Sequence, residues 1–156
     1  MNQTTPLRQG LYFEEFKVGL SILSAARTVT ESDIVSFAGL SGDYNSIHTD
    51  AVHASKTIFG QRIAHGLLCM AIASGLANST GAIEGTAIAF REIRNWKFSQ
   101  PVFIGDTIHI QMDVTKTTPM PRLNGGTVHL KISVLNQDDV VVMKGTWIVL
   151  VESQPS

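Results

Sequence analysis

Ser41 to Asn78 reads SGDYNSIHTDAVHASKTIFGQRIAHGLLCMAIASGLAN, and the order of its parts decides the fold. Its first part sets Asp43, Asn45 and His48 close together in turn-forming sequence after Gly42. Its last part, Ile63 to Ala77, is apolar on every side apart from His65 and Ser74. A helix with no polar face is enclosed by protein or by lipid. This run is too short to span a bilayer and carries a histidine and a glycine inside it. It is expected as a long buried helix with polar chemistry delivered beside it.

Working outward, Ser21 to Val29 reads as one strand. Thr30-Glu31-Ser32-Asp33 is a helix start: the Thr30 hydroxyl can accept from the first-turn amides, and Asp33 suits the positive helix end. Ile34, Val35, Phe37 and Ala38 supply an apolar face until Gly39 and Gly42 stop the helix. Asp50 is placed to cap a short helix through Ser55, and Lys56 to Arg62 crosses into the central helix, which ends near Asn78, Ser79 and Gly81.

From Gly85 the period changes to two. Ile108, Ile110, Met112 and Val114 alternate with polar residues, as do Val128, Leu130, Ile132 and Val134. Each is a half-buried antiparallel strand. Asn124-Gly125-Gly126 and Gln137-Asp138-Asp139 mark turns. Thr86 to Phe98 is the first strand of this set and Val140 to Val151 the last, while Thr117 to Arg122, with Pro119 and Pro121, is expected as a loop longer than a hairpin needs. One strand, helices, then four strands in a row give an α+β fold: a curved antiparallel sheet wrapped around a long central helix. A single sheet leaves one end of that helix open, and a dimer closes it.

The bulk composition narrows the function. The 156 residues suit one domain, 11–152, behind a flexible leader, 1–10. A formal net charge of −1 argues against nucleic acid or an anionic membrane as the main partner. One cysteine, Cys69, excludes an internal disulfide and reads as a small buried hydrophobe. With a polar leader containing Pro6 and no bilayer-length apolar run, the protein is expected in the cytoplasm.

Three separated stretches resemble the MaoC-like hydratase/dehydratase family of the hotdog fold. Gly42-Asp43-Tyr44-Asn45-Ser46-Ile47-His48, with Ala54 as the small residue downstream, matches that family's Gly-Asp-x-Asn-Pro-hydrophobic-His loop. Ile63 to Leu68 matches hydrophobic-small-His-Gly-hydrophobic-Leu, and Asn95-Trp96-Lys97-Phe98 followed by Pro101 to Thr107 matches the sheet signature. They occur in the family's order. Ser46 stands where the family carries proline, which removes a fixed φ but no reacting group.

The resemblance implies a hydro-lyase acting on acyl thioesters of coenzyme A or acyl carrier protein, with Asp43 and His48 as the catalytic pair. Hydrating an enoyl thioester needs a base for water, an acid for the α-carbon and donors for the enolate-like oxygen. Histidine suits proton transfer near neutral pH, and a carboxylate beside it can be tuned toward the same range. Asn45 would orient the water or the pair. Gly66, near the helix amino end, could present its N–H to the thioester carbonyl. Ser74 is a further candidate hydroxyl, with a bond back to the Met70 carbonyl as the alternative. His65 is expected to cap the helix or to pack at the dimer contact, and His53 and His109 read as surface residues. Asp50, His48 and His53 make a weak metal set with no supporting spacing, so no metal and no cofactor are expected. Lys56, Arg62, Arg91, Arg94, Lys97 and Arg122 are candidates for carrier phosphates or an acidic carrier helix. A hotdog thioesterase and a non-catalytic acyl-binding subunit are the other readings.

Overall fold

Ile63 and Ala64, which open the apolar run, are held extended: Ile63 bridges Phe103, and the Ala64 amide donates to the Val102 carbonyl at 2.8 Å. The central helix therefore begins after them, at Gly66, in the computed structural model, which describes residues 10–155. Most of the expected leader, residues 1–9, lies outside the described residues. Gly10 is buried, and the Leu11 amide donates to the Ala82 carbonyl.

Among the described residues four α-helices and six strands form, two strands before the helices where one was expected and four after them. The helices are α1 (Glu31–Ser41), α2 (Ser46–Thr49), α3 (Ala51–Ala54) and α4 (Gly66–Ser79). The strands are β1 (Ser21–Leu23), β2 (Arg27–Thr28), β3 (Ala87–Phe98), β4 (Thr107–Met120), β5 (Gly125–Leu135) and β6 (Val141–Glu152). Every pairing is antiparallel, in the order β1-β4-β5-β6-β3, with β2 also on β4. Ile108, Ile110, Met112 and Val114 join Val128, Leu130, Ile132 and Val134 in one core with the inner stripe of α4.

That stripe is Leu68, Cys69, Ile72, Ala73, Leu76 and Ala77. The opposite face, Leu67, Ala71 and Ser74, is exposed in the single chain, Leu67 at 58%. The helix is thus apolar all round without being enclosed all round by its own sheet. β3, at the end of the sheet order, is exposed along most of its length and includes Ile88, Phe90, Ile93 and Phe98.

Three local expectations are corrected. The strand expected over Ser21–Val29 is broken between β1 and β2 because the Ser24 hydroxyl itself accepts from the Ile110 amide at 2.9 Å. The loop expected at Thr117–Arg122 is a continuation of β4 through Pro119, which lies opposite Gly126. Beyond Val114 no strand among the described residues pairs with the far side of β4, so a missing N–H is tolerated there. The reversal is the 3₁₀ turn Pro121–Leu123 with Asn124 at φ 45°, so Gly125 and Gly126 belong to β5 instead of to the turn. Gly126 lies under the Phe13 ring, which a Cβ would meet at 2.3 Å.

Candidate active site at the mouth of α4

The Thr30 hydroxyl accepts from the Asp33 amide and the Asp33 carboxylate accepts from the Thr30 amide, so α1 starts where the sequence places it. It runs through Gly39 and ends at Gly42, whose φ of 76° reverses the chain. The next residues hold one another. The Ser41 hydroxyl accepts from the Asp43 amide at 3.1 Å, and the Asp43 carboxylate from the Asn45 amide at 3.2 Å. The Asn45 side-chain oxygen accepts from the Ile47 amide at 3.2 Å and caps α2. His48 therefore stands on a short helix, where the sequence suggested a loop. Ser46 is the first residue of that helix, a position where proline's fixed φ is favoured and its lost N–H is not needed. Serine there preserves the geometry. Asp50 caps α3 by accepting from the His53 amide at 2.9 Å.

His48 is 7% exposed, and its Nδ1 lies 2.7 Å from the Ile63 carbonyl. A carbonyl only accepts, so Nδ1 carries the proton and neutral His48 keeps a lone pair on Nε2. Burial, the largest cause, pulls the His48 pKa below the ordinary histidine value; the Ile63 bond opposes this, His65 adds to it and Asp43 opposes it. The unfolded chain binds more protons than the folded one just below the ordinary value, so stability is retained above it and declines as pH falls through it. Urea unfolding from about pH 7.5 to 5 should show that decline. His48→Gln should flatten it, and an unchanged slope would remove His48 as its source.

His65 occupies the cap position of α4 without a side-chain capping bond, which corrects the expectation of a capping histidine. Its Nε2 lies 2.9 Å from the Asp43 carbonyl, and its ring stacks on His48 with centroids 3.8 Å apart. Asp43, His48 and His65 each place one ligand-type atom within 4.8 Å of the others. Both rings already spend one nitrogen on a backbone carbonyl, which suits proton transfer. The weaker set of Asp50, His48 and His53 is not brought together as a cluster among the described residues.

Gly66 opens α4 with no side-chain cap over its first turn, so an amide is left for an incoming oxygen. It also lines a cavity of about 410 Å³ with Phe59, Leu67, Cys69, Phe98 and Met143. A Cβ on Gly66 would lie 2.6 Å from the Phe98 ring, which explains the glycine. Ser74 is exposed on the outer face of α4 and donates to the Ala71 carbonyl at 2.7 Å, one residue from the expected acceptor. It lines a different cavity, with Phe37, Met70, Phe90, Ile93 and Trp147. His53 is exposed, and His109 lies 3.7 Å from Asp139.

Of the basic residues, Arg62 pairs with Glu31 at 2.8 Å and Arg94 with Glu92 at 2.6 Å, while the Arg91 guanidinium meets the Met120 sulfur. Lys56, Lys97 and Arg122 are exposed. Burial pushes the Cys69 thiol up to about 12, so it stays protonated and unreactive. Two participants escaped sequence reasoning: Phe98, whose only signal is the Trp-x-Phe stretch, and Phe37, whose ring meets His65 at 5.0 Å.

Residues 17–135 match the MaoC like domain family. The chain belongs to that family. Over 112 residues it is 41% identical to the (R)-specific enoyl-CoA hydratase of Rhodospirillum rubrum, covering 69% of this chain and 72% of the relative. Over 107 residues it is 41% identical to Protein MaoC of Klebsiella aerogenes, covering 69% of this chain but only 31% of that longer protein. An Archaeoglobus structure described as a monoamine oxidase regulatory protein superposes with a TM-score of 0.86 at 37% identity, covering 94% of this chain and 97% of its own. The fold is the hotdog fold, with α4 as the central helix. No helix among the described residues is long and apolar enough to cross a membrane.

Proposed function

We propose that this MaoC-like domain is a hydro-lyase that adds water to trans-2-enoyl-CoA to give (R)-3-hydroxyacyl-CoA, or runs the reverse, as a cytoplasmic dimer. The observation that carries the reading is the buried His48, whose Nε2 is left unprotonated by the Ile63 bond and which stands beside Asp43 at the open amino end of α4. Hydration or dehydration of enoyl thioesters is the chemistry named for this family's hydratase relatives.

In the forward direction the substrate thioester oxygen meets the Gly66 N–H at the helix start, where the dipole favours developing negative charge. Asp43 and His48 hold one water between them. His48 Nε2 takes its proton as oxygen bonds to C3, and electron density moves onto the thioester oxygen. A proton returned from the pair to C2 completes the addition, so the pair ends as it began. The Asn45 side chain, its oxygen engaged in the α2 cap, is assigned to orienting the water or the pair. Ser74, on the outer face of α4, is assigned to substrate contact, and His65 to orienting the pair.

Hydration is followed as loss of the enoyl-thioester absorbance, with the product enantiomer resolved. Release of free thiol without that loss would point to a thioesterase and overturn the reading. The carrier is coenzyme A or acyl carrier protein. A second copy is supported by the exposed Leu67–Ala71–Ser74 face and by β3, an edge strand with apolar residues in the open. Sedimentation showing a stable monomer at micromolar concentration would remove the dimer.

Gly66→Ala tests the oxyanion position. The backbone N–H survives, but the new methyl group must displace the Phe98 ring or the approaching substrate. We expect kcat to fall by about tenfold or more with a native far-UV spectrum. Wild-type turnover would place the thioester elsewhere.

A further inference from the structure

His65 is 2% exposed and touches both residues assigned to proton transfer. Its contacts come from three parts of the chain. Nε2 donates to the carbonyl of Asp43, which lies 22 residues earlier. One ring contact is with His48 on α2, stacked at 3.8 Å with the planes 29° apart. The other is with Phe37 on α1, tilted by 57°. Nδ1 is buried without a hydrogen-bond partner. With the proton on Nε2, the orphan atom is a lone pair; a proton there would be a buried donor with no acceptor. Either orphan is unfavourable, and a residue serving only to start α4 has no need of it. Serine or aspartate would cap the helix directly, whereas His65 gives α4 no side-chain bond.

We propose that His65 is a positioning residue for the Asp43/His48 pair: its Nε2–H ties down the backbone at Asp43 while its ring forms the surface against which His48 is pressed. One side chain thereby sets the separation of a carboxylate and an imidazole carried by different segments. This rests on the reading of those two residues as the proton-handling pair. The groups facing His48 are Asp43, His65 and the Ile63 carbonyl. Taking away the His65 ring removes both shielding and a contribution that disfavours the charged His48.

Two substitutions separate the contacts. His65→Gln offers an amide N–H to the Asp43 carbonyl but no ring. His65→Phe keeps a ring against His48 but no donor. We expect kcat to fall at least about tenfold in the Phe variant with KM little changed, and the Gln variant to recover part of that loss. In the Gln variant the His48 titration midpoint, read from histidine ¹⁵N spectra, should rise, and with it the acidic limb of the pH–rate profile. Wild-type kcat and an unmoved His48 midpoint in both variants, with only thermal stability lowered, would overturn the proposal. The wild-type spectrum decides independently of folding in the variants: His65 must appear as the Nε2-protonated tautomer, and the Nδ1-protonated form sinks the inference. Absence of hydration by the wild type would defeat the proposed function, and the spectra would still judge His65.

Discussion

Asp43→Asn and His48→Ala should each lower kcat for enoyl-thioester hydration by about 10²–10⁴-fold while leaving the fold intact. The two lesions differ in kind. Asparagine keeps the shape at position 43 and can still accept from the Asn45 amide, so the turn after Gly42 survives; what disappears is the anion. Alanine at position 48 removes the ring and its bond to the Ile63 carbonyl, a link between α2 and the segment leading into α4. His48→Ala should therefore also lower thermal stability, whereas Asp43→Asn should not. Because both groups act on one water, the double variant should be little worse than the poorer single variant. Steady-state rates with a trans-2-enoyl-CoA test all three. Losses that multiply in the double variant would mean that the two residues work in separate steps, and unchanged turnover in both singles would dismiss the mechanism.

Ile132→Ala should be among the most destabilising single changes. Ile132 is fully buried on β5, between Met112 on β4 and Gly145 on β6. Neighbours on a hydrogen-bonded sheet cannot collapse far into the space left, so transfer and cavity terms both count. We expect a loss of about 2–5 kcal/mol and a fall in Tm on the order of 10 °C. The conservative Ile132→Val should give about 0.5–1.5 kcal/mol. An equal effect from Leu123→Ala, half exposed on the turn after β4, would contradict this placement of the core.

Much of the site was legible because its signals are local. Thr30 and Asp33, Gly42, and Asp50 each act within a few residues, and each forms the cap or stop that its chemistry suggests. The polar cluster and the helix beyond it were likewise readable, since their spacing is a property of the chain. What escaped depends on distant partners. His48 is oriented by a carbonyl 15 residues away and stacked on a ring 17 residues away, and nothing in either residue's neighbourhood announces that. The open face of α4 was hidden for a related reason. Periodicity reports whether a residue is apolar, and Leu67 and Leu68 look alike to it, yet one faces the sheet and the other faces outward. Pro119 misled because proline usually signals a loop; β4 tolerates it where no strand among the described residues pairs on that side.

The chain's one thiol supplies a clock for the cavity. Cys69 is shielded from solvent yet forms part of the wall that Gly66 and Phe98 share. Its reaction with a thiol reagent must wait for the surrounding structure to open, so the labelling half-time counts openings of that region in the native protein. An acyl chain seated in the cavity would slow this labelling to the share of molecules left unoccupied, without any turnover. A substrate series could then be ranked for binding by the silence of a residue that takes no part in the reaction.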